Sequence, residues 1–142
     1  GMGGELIAEI LENSEYPRSS RCRLILQPMS MQDELRRYLS REGYAISDER
    51  VVYDSGKYYQ LIAAEYTGSG CVLDDVEALL GPLNLKRAAE DLSDGDRGWL
   101  TSVSRAARNR VDGRRKSAAG SNSPEQLFDQ SLLERIEAII QA

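Results

Sequence analysis

The side chains available for chemistry are limited by what the sequence lacks. It contains no histidine, and its two cysteines are Cys22 and Cys71. Ser-His-Asp triads, histidine general bases and zinc sites of the common Cys/His kinds are therefore excluded. Cys22 opens an apolar run and is expected to be a reduced, buried thiol. Any reaction must rely on carboxylates, hydroxyls, backbone groups or a bound cofactor, and no metal site is expected.

A second suggestive feature is the basic segment between Arg97 and Lys116. It holds seven cationic residues against the single anion Asp112, although the whole chain has a formal net charge of −5. A basic helix on an acidic protein offers a surface to a polyanion. The alternative is a solvated helix whose arginines pair with acidic residues, and no interleaved aromatic residues suggest a platform for single-stranded nucleic acid. The candidate polyanion-binding residues are Arg105, Arg108, Arg114, Arg115 and Lys116.

The first half of the chain predicts the elements of an α/β fold. The apolar spacing and turn residues predict, in order, a helix over Glu5–Leu11, a short buried strand over Cys22–Gln27, a helix over Met31–Glu42 capped by Ser30, a strand over Tyr44–Tyr53, a hairpin turn over Asp54–Lys57 and a strand over Tyr58–Tyr66. This order is typical of a sheet with a parallel component and an antiparallel edge. Tyr58 and Tyr59 are expected to pack in the core and at the sheet edge, and base stacking is the alternative.

The second half predicts a helical hairpin. One helix is expected from Asp96 to about Ala118, a break at Gly120–Pro124, and a last helix capped by Ser123. The apolar stripes that face each other are Trp99, Val103, Ala107 and Val111 on the first helix and Phe128, Leu132, Leu133, Ile136, Ile139 and Ile140 on the second. Asp74 and Asp75 are expected to begin a short helix. Two domains are predicted, over residues 1–70 and 71–142.

Length and composition indicate a globular protein. The 142 residues are 41% apolar and 29% charged, which suits one domain or a small domain with an appendage. No run approaches the roughly 18 apolar residues of a membrane span, and no basic and apolar leader opens the chain. A cytoplasmic protein with no membrane contact is expected.

Three segments in order carry a family resemblance. They are Gly1-Met2-Gly3-Gly4 with the following Leu6-Ile7-Ala8, then Arg23-Leu24-Ile25-Leu26-Gln27-Pro28, then Glu42-Gly43-Tyr44-Ala45-Ile46. Together with Lys57–Glu65 and with Gly81-Pro82 ahead of Trp99, the chain resembles the bacterial tRNA (adenine-N1)-methyltransferases of the TrmK type, which modify adenine 22 of tRNA. The resemblance implies the C-terminal half of a Rossmann-like class I methyltransferase sheet, with an antiparallel hairpin and a C-terminal helical arm.

The resemblance also implies where the site lies. Gly1-Met2-Gly3-Gly4 would form the loop at which the methyl group meets the target base, because glycines let the backbone approach a planar base and the next helix offers free N–H groups. Gln27 and Pro28 would lie at the same rim as substrate-binding residues, where ligands gather at strand ends. The basic residues from Arg105 to Lys116 would contact tRNA phosphates. A tight connection at Gly1–Gly4 and an ordinary strand end at Gln27 are the alternatives.

The strand and acidic, glycine-bearing loop with which family members hold S-adenosylmethionine have no counterpart in the sequence. The parent enzyme would use this cofactor, whereas this chain alone is expected to bind none and to be inactive. Met29 departs from the polar residue expected after Gln27-Pro28. Because the strand over Cys22–Gln27 would lack its parallel neighbour, a homo-oligomer through that edge or the helical arm is predicted. A non-catalytic RNA-binding or oligomerising module, or a general RNA-binding protein, is the alternative function.

Overall fold

A computed structural model of the protein describes residues 1–117 and 122–142. Three helices and three strands are interspersed as far as Tyr66, and the elements described after that are helical. In chain order the elements are α1 (Gly4–Glu12), α2 (Tyr16–Ser20), β1 (Leu24–Leu26), α3 (Gln32–Arg41), β2 (Tyr44–Asp54), β3 (Lys57–Tyr66), α4 (Asp75–Leu80), α5 (Pro82–Glu90), α6 (Asp94–Arg115) and α7 (Pro124–Ile140). Among the helices of these described ranges, none has the length and apolar character needed to cross a membrane.

The sheet has three strands in the order β1-β3-β2, and both pairings are antiparallel. β1 and β2 therefore run in the same direction, but β3 lies between them. Within the described residues no two parallel strands are hydrogen-bonded to each other, although the sequence predicts a parallel component. The hairpin turn is confirmed: Ser55 and Gly56 both have positive φ, at 50° and 83°, as a two-residue turn between twisted strands requires. β1 is shorter than the predicted Cys22–Gln27, and Cys22 is only partly buried while Cys71 is exposed.

Prolines begin two helices that the sequence analysis does not predict. Pro17 lies in the first turn of α2, and Pro82 opens α5 directly after Gly81. Proline disrupts the interior of a helix but is favoured in its first turn, because a backbone N–H at that position would have no partner within the helix. At α3 the predicted Ser30 cap is wrong: the helix begins after Met31, which has φ 53° and makes no side-chain cap hydrogen bond.

The chain divides into two compact units, Gly1–Lys86 and Arg87–Ala142. The boundary predicted from the sequence lies after Gly70, whereas α4 and the first half of α5 belong to the first unit. In that unit α1 and α3 pack on the sheet around Leu35, Leu39 and Ile62, each with no exposed surface. Asp74 caps α4 by accepting a hydrogen bond from the Glu77 N–H at 2.7 Å, as expected of a helix start.

A buried polar cluster joins α3, β2, β3 and α4. The Arg36 Nε donates to Glu49 Oε2 at 2.7 Å, and Arg36 Nη2 donates to Gln60 Oε1 at 2.6 Å. Arg36 Nη1 donates to the carbonyl oxygens of Ala78 at 3.0 Å and Leu79 at 2.9 Å. The other Glu49 oxygen, Oε1, accepts from the backbone N–H of Leu83 at 2.8 Å.

Gly81 closes over this cluster at the junction of α4 and α5. Its φ of 98° disfavours any residue with a side chain, and a Cβ there would collide with the Glu49 carboxylate and the Arg36 guanidinium. A charged pair with no exposure is stable only when its remaining donors and acceptors are satisfied. The backbone groups of α4 and α5 do this, so the pair fixes where these helices leave the sheet.

The second unit contains the predicted helical hairpin, which is confirmed. The Ser93 hydroxyl caps α6 by accepting a hydrogen bond from the Asp96 N–H at 3.0 Å. The Ser123 hydroxyl caps α7 in the same way, by accepting from the Gln126 N–H at 3.2 Å. Arg108 contacts Glu137, Arg110 contacts Asp129, and Arg114 contacts Gln126. Residues further along α6 thus contact residues nearer the start of α7, so the two helices are antiparallel. The buried part of the predicted stripes is Trp99, Ala107, Val111, Leu132 and Ile136. The predicted end of α6 at Ala118 and the first two residues of the predicted break lie at 118–121, outside the described residues.

Candidate functional site

The first two segments predicted for the site lie together. The backbone N–H of Met29 donates to the carbonyl oxygen of Met2 at 2.9 Å, and the N–H of Gly4 donates to the carbonyl oxygen of Ser30 at 2.7 Å. These bonds hold Gly1–Gly4 against the segment that follows β1. The loop before α1 and the carboxyl end of β1 thus form one rim of the sheet.

Glycine is required at position 4 of this loop because of the close approach to the backbone of Met31. Gly4 is buried, and a Cβ there would collide with the carbonyl oxygen of Met31. A Cβ on Gly3 would lie 2.7 Å from the Ser30 hydroxyl, and one on Gly1 would collide with the Met29 side chain. This geometry suits the tight connection that the sequence leaves open as an alternative, and it brings the exposed residues Gly1 and Met2 to the rim.

Gln27 and Pro28 have different environments at the end of β1. Gln27 is exposed, and its amide lies 3.8 Å from the Met29 sulfur. Pro28 is buried, and its carbonyl oxygen accepts a hydrogen bond from the Gln32 amide at 3.3 Å. The Gln27 side chain therefore lies exposed at the rim, whereas Pro28 is buried in the loop that follows β1. Sequence reasoning does not identify Ser30 and Met31 as partners of the glycine loop, because they contact it through backbone groups.

An apolar groove runs beside this rim between α1 and β1. It has a volume of about 320 Å³ and is lined mainly by Met2, Ile10, Ile25 and Met29. β1 is an edge strand in the described sheet, and Ile25 on it is 66% exposed. An exposed apolar edge of this kind is a surface on which another strand can pair. Within the described residues, no three His, Cys, Asp or Glu side chains converge as metal ligands would.

Part of the predicted basic surface is engaged by α7. Arg114 donates to Asp129 Oδ2 at 2.7 Å and is only 26% exposed, and Arg110 donates to both Asp129 oxygens at 2.9 and 3.0 Å. Arg108 pairs with Glu137 at 3.0 Å on the surface. The alternative in which arginines pair with acidic residues therefore holds for these three residues. Arg105, Arg115 and Lys116 stay exposed, with Arg115 at 4.0 Å from Asp112.

Asp129 gives the helical hairpin a pH dependence. Its burial alone would raise the carboxyl pKa, but hydrogen bonds and charge from Arg110 and Arg114 lower the pKa below its ordinary value of 3.8. The ion pairs therefore contribute stability above the pKa of the unfolded chain, and this contribution is lost as the pH falls through the lower folded pKa. We expect Asp129→Asn to lower the free energy of unfolding at neutral pH by about 1–3 kcal/mol, because the two guanidinium groups lose charged partners.

The difference in the free energy of unfolding between the wild type and Asp129→Asn should decrease as the pH falls from about 7 toward 2. Trp99, the single tryptophan, is buried in α6, so its fluorescence during urea unfolding reports on this unit. A difference that stays constant across this range would contradict the role given to the Asp129 charge.

Comparison with known proteins assigns the chain to a family. The profile of the family TrmK, tRNA (adenine(22)-N(1))-methyltransferase, matches residues 1–107. The tRNA (adenine(22)-N(1))-methyltransferase of Bacillus subtilis (strain 168) is 37% identical over 83 residues, which cover 58% of this chain and 35% of that protein.

Solved structures show the same fold over nearly the whole chain. The B. subtilis tRNA methyltransferase TrmK superposes with a TM-score of 0.73 at 25% identity, covering 99% of this chain and 60% of that one. M. capricolum TrmK, solved with the cofactor product S-adenosyl-homocysteine, superposes with a TM-score of 0.69 at 19% identity, covering 99% of this chain and 57% of that one. The fold is Rossmann-like, and the chain spans less than two thirds of the length of these relatives. With three quarters of its sequence matched by the family profile, the chain belongs to the tRNA (adenine(22)-N(1))-methyltransferase family.

Proposed function

We propose that this chain is the C-terminal part of an enzyme that methylates N1 of adenine 22 in tRNA with S-adenosylmethionine. The observation that supports this most is the joining of Gly1–Gly4 to the segment after β1 by two backbone hydrogen bonds, at the rim where the family resemblance places the target base. The same rim lies at the carboxyl end of β1, where ligands of open α/β sheets bind.

The residues of this chain fit the base side of such a site and not the cofactor side. The rim offers the exposed residues Gly1 and Met2 and the Gln27 amide, but it contains no acidic, glycine-bearing loop after a strand that would hold S-adenosylmethionine. S-adenosylmethionine supplies the methyl group when it is bound, and we propose that residues outside this chain hold it. The chain alone is therefore proposed to be inactive.

The chemistry requires alignment more than proton transfer. N1 of adenine already carries a lone pair, so no general base has to remove a proton from it, which agrees with a sequence that contains no histidine. What the protein must supply is a base turned out of its stack and held in line with the methyl group in a site from which water is excluded. In this proposal the backbone of Gly1–Gly4 approaches the base, and Gln27 orients its edge.

The test compares this chain with a form extended upstream to include the cofactor-binding segment. Each is incubated with unmodified tRNA and S-adenosylmethionine, and the nucleosides are analysed by mass spectrometry. We expect new 1-methyladenosine with the extended form and none with this chain alone. A folded extended form that yields no 1-methyladenosine would refute the proposed function.

The basic face of α6 is the proposed contact with tRNA phosphates, through the exposed Arg105, Arg115 and Lys116 rather than Arg114. We expect Lys116→Ala in the extended form to weaken tRNA binding and to reduce the slope of log K against log salt concentration by about 1, because one phosphate contact is lost. Lys86→Ala removes the same charge from an exposed lysine in α5 and is the matched control. Equal salt slopes for both variants and the wild type would remove Lys116 from the interface.

An oligomerising module is a second candidate, favoured by the unpaired edge of β1 and the exposed Ile25 beside an apolar groove. In this case two copies would pair through that edge. Light scattering of this chain and of the extended form separates the candidates. An oligomer of the chain that becomes a monomer in the extended form indicates that the upstream segment covers the edge, whereas oligomers of both forms favour the module. For the tRNA-modifying enzyme we propose a cytoplasmic location.

A further inference from the structure

A second groove lies where the β2–β3 hairpin extends past the end of β1. In the described part of the chain, β1 pairs with β3 only over Ile62–Ala64, and from Lys57 to Leu61 β3 is paired with β2 alone. The groove beside this extension has a volume of about 380 Å³, within the range of small-ligand sites. Its lining residues are Gln27, Met29, Val52, Asp54, Tyr59 and Leu61.

This groove is continuous with the proposed target-base rim. Gln27 and Met29 belong to both, and the Met29 N–H is bonded to the Met2 carbonyl oxygen at 2.9 Å. A molecule that fills the groove would therefore lie directly beside whatever occupies the rim. In a polynucleotide substrate, the group adjacent to the target base is a neighbouring nucleotide.

The lining has the chemistry of a nucleoside site. Val52 and Tyr59 are directly opposite each other in the strand register, so their side chains share one face and form an apolar wall with a half-buried aromatic ring. Aromatic rings of this kind stack on nucleobases. Asp54 and Gln27 add a carboxylate and an amide to the lining, which can bond ribose hydroxyls or exocyclic amines. The groove therefore offers an aromatic ring for a base and polar groups for a ribose.

We propose that this groove binds the nucleotide that adjoins the target adenine, with its base stacked on Tyr59. The inference rests on the proposed methyltransferase function, and for Tyr59 it selects base stacking, the alternative to the packing role expected from the sequence. It predicts that the enzyme senses a base next to the one it methylates.

The test uses the extended form and tRNAs that carry an abasic ribose on the 5′ or the 3′ side of the target adenine. With the wild-type enzyme, one of the two abasic tRNAs should have a KM about tenfold higher, because a stacked base is missing. Tyr59→Leu should raise the KM for intact tRNA by a similar factor, with kcat little changed, and the same abasic site should then cause no further increase. Tyr59→Phe, which keeps the ring, should retain the sensitivity to the abasic site.

Tyr53→Leu is the matched control, since Tyr53 is exposed and lies on the opposite face of the hairpin, where its ring packs against Tyr58 at 4.8 Å. It should have the wild-type KM. A wild-type enzyme that is insensitive to both abasic sites overturns the proposal even where Tyr59→Leu fails to fold. The proposal is also overturned if the KM increases caused by Tyr59→Leu and by the abasic site multiply when the two changes are combined. A wild-type extended form that methylates no tRNA refutes the proposed function, and the nucleotide site with it.

Discussion

Replacing Glu49 with alanine should lower the free energy of unfolding of the first unit by about 3–5 kcal/mol, because the Arg36 charge would remain buried without its partner. Neither side chain of the pair has exposed surface, and their closest atoms are 2.6 Å apart. Removing the carboxylate also takes away the oxygen that accepts a hydrogen bond from the Leu83 N–H at 2.8 Å. Hydrogen exchange of the β3 amides during mild denaturation measures this locally, apart from the Trp99 signal of the helical hairpin.

Glu137→Ala is the control for the buried pair. Glu137 pairs with Arg108 at 3.0 Å, but the two side chains are 48% and 57% exposed, so its loss should cost less than about 1 kcal/mol. The double variant Arg36→Met with Glu49→Leu removes both charges and should be more stable than Glu49→Ala. A cost of Glu49→Ala as small as that of Glu137→Ala would mean that the buried pair does not hold α4 and α5 to the sheet.

Gly4→Ala should lower kcat/KM of the extended form about a hundredfold, because a displacement of about 1 Å in a reacting site has effects of this size. The added Cβ would collide with the Met31 carbonyl oxygen, which belongs to the backbone and cannot turn aside as a side chain can. The Gly1–Gly4 loop must then move away from Met29 and Ser30. The measurement is methyl transfer to unmodified tRNA under single-turnover conditions.

Gly95→Ala provides the matched control for this substitution. A Cβ on Gly95 has only the Ser93 hydroxyl within contact distance, at 3.9 Å, and the residue lies in the first turn of α6. Methyl transfer should be unchanged, and stability should rise slightly because glycine is a poor helix former. If Gly4→Ala methylates tRNA as fast as Gly95→Ala does, the Gly1–Gly4 loop has no part in positioning the base.

The local elements of the fold could be predicted because their signals lie close together in the sequence. The Asp54–Lys57 turn needs two residues with positive φ, and the capping serines of α6 and α7 stand next to apolar stripes. The pairing of β1 with β3 could not be obtained in this way, since it joins residues about forty positions apart. β1 is short because only Leu24–Leu26 meet β3, a limit that its apolar run does not reveal.

The buried cluster and the engaged arginines show why charges are harder to place. Arg36 and Glu49 are residue types that are almost always exposed, and their burial depends on their mutual contact together with partners elsewhere in the sequence, such as Gln60 and the Leu83 N–H. For the basic helix a signal did exist. Arg110 and Arg114 each follow a stripe residue, Ala107 or Val111, by three positions, so they border the apolar face and meet α7. Arg105 and Lys116 remain exposed.

The most direct test of the proposed enzyme maps the methylated nucleotide in tRNA. Methylation at N1 blocks Watson–Crick pairing, so reverse transcription stops next to the modified base. With the extended form and S-adenosylmethionine we expect a stop at adenine 22, absent from reactions without the cofactor and from a tRNA with guanine at that position. A stop at another nucleotide, or none with a folded extended form, would contradict methylation of adenine 22 by the enzyme that contains this chain.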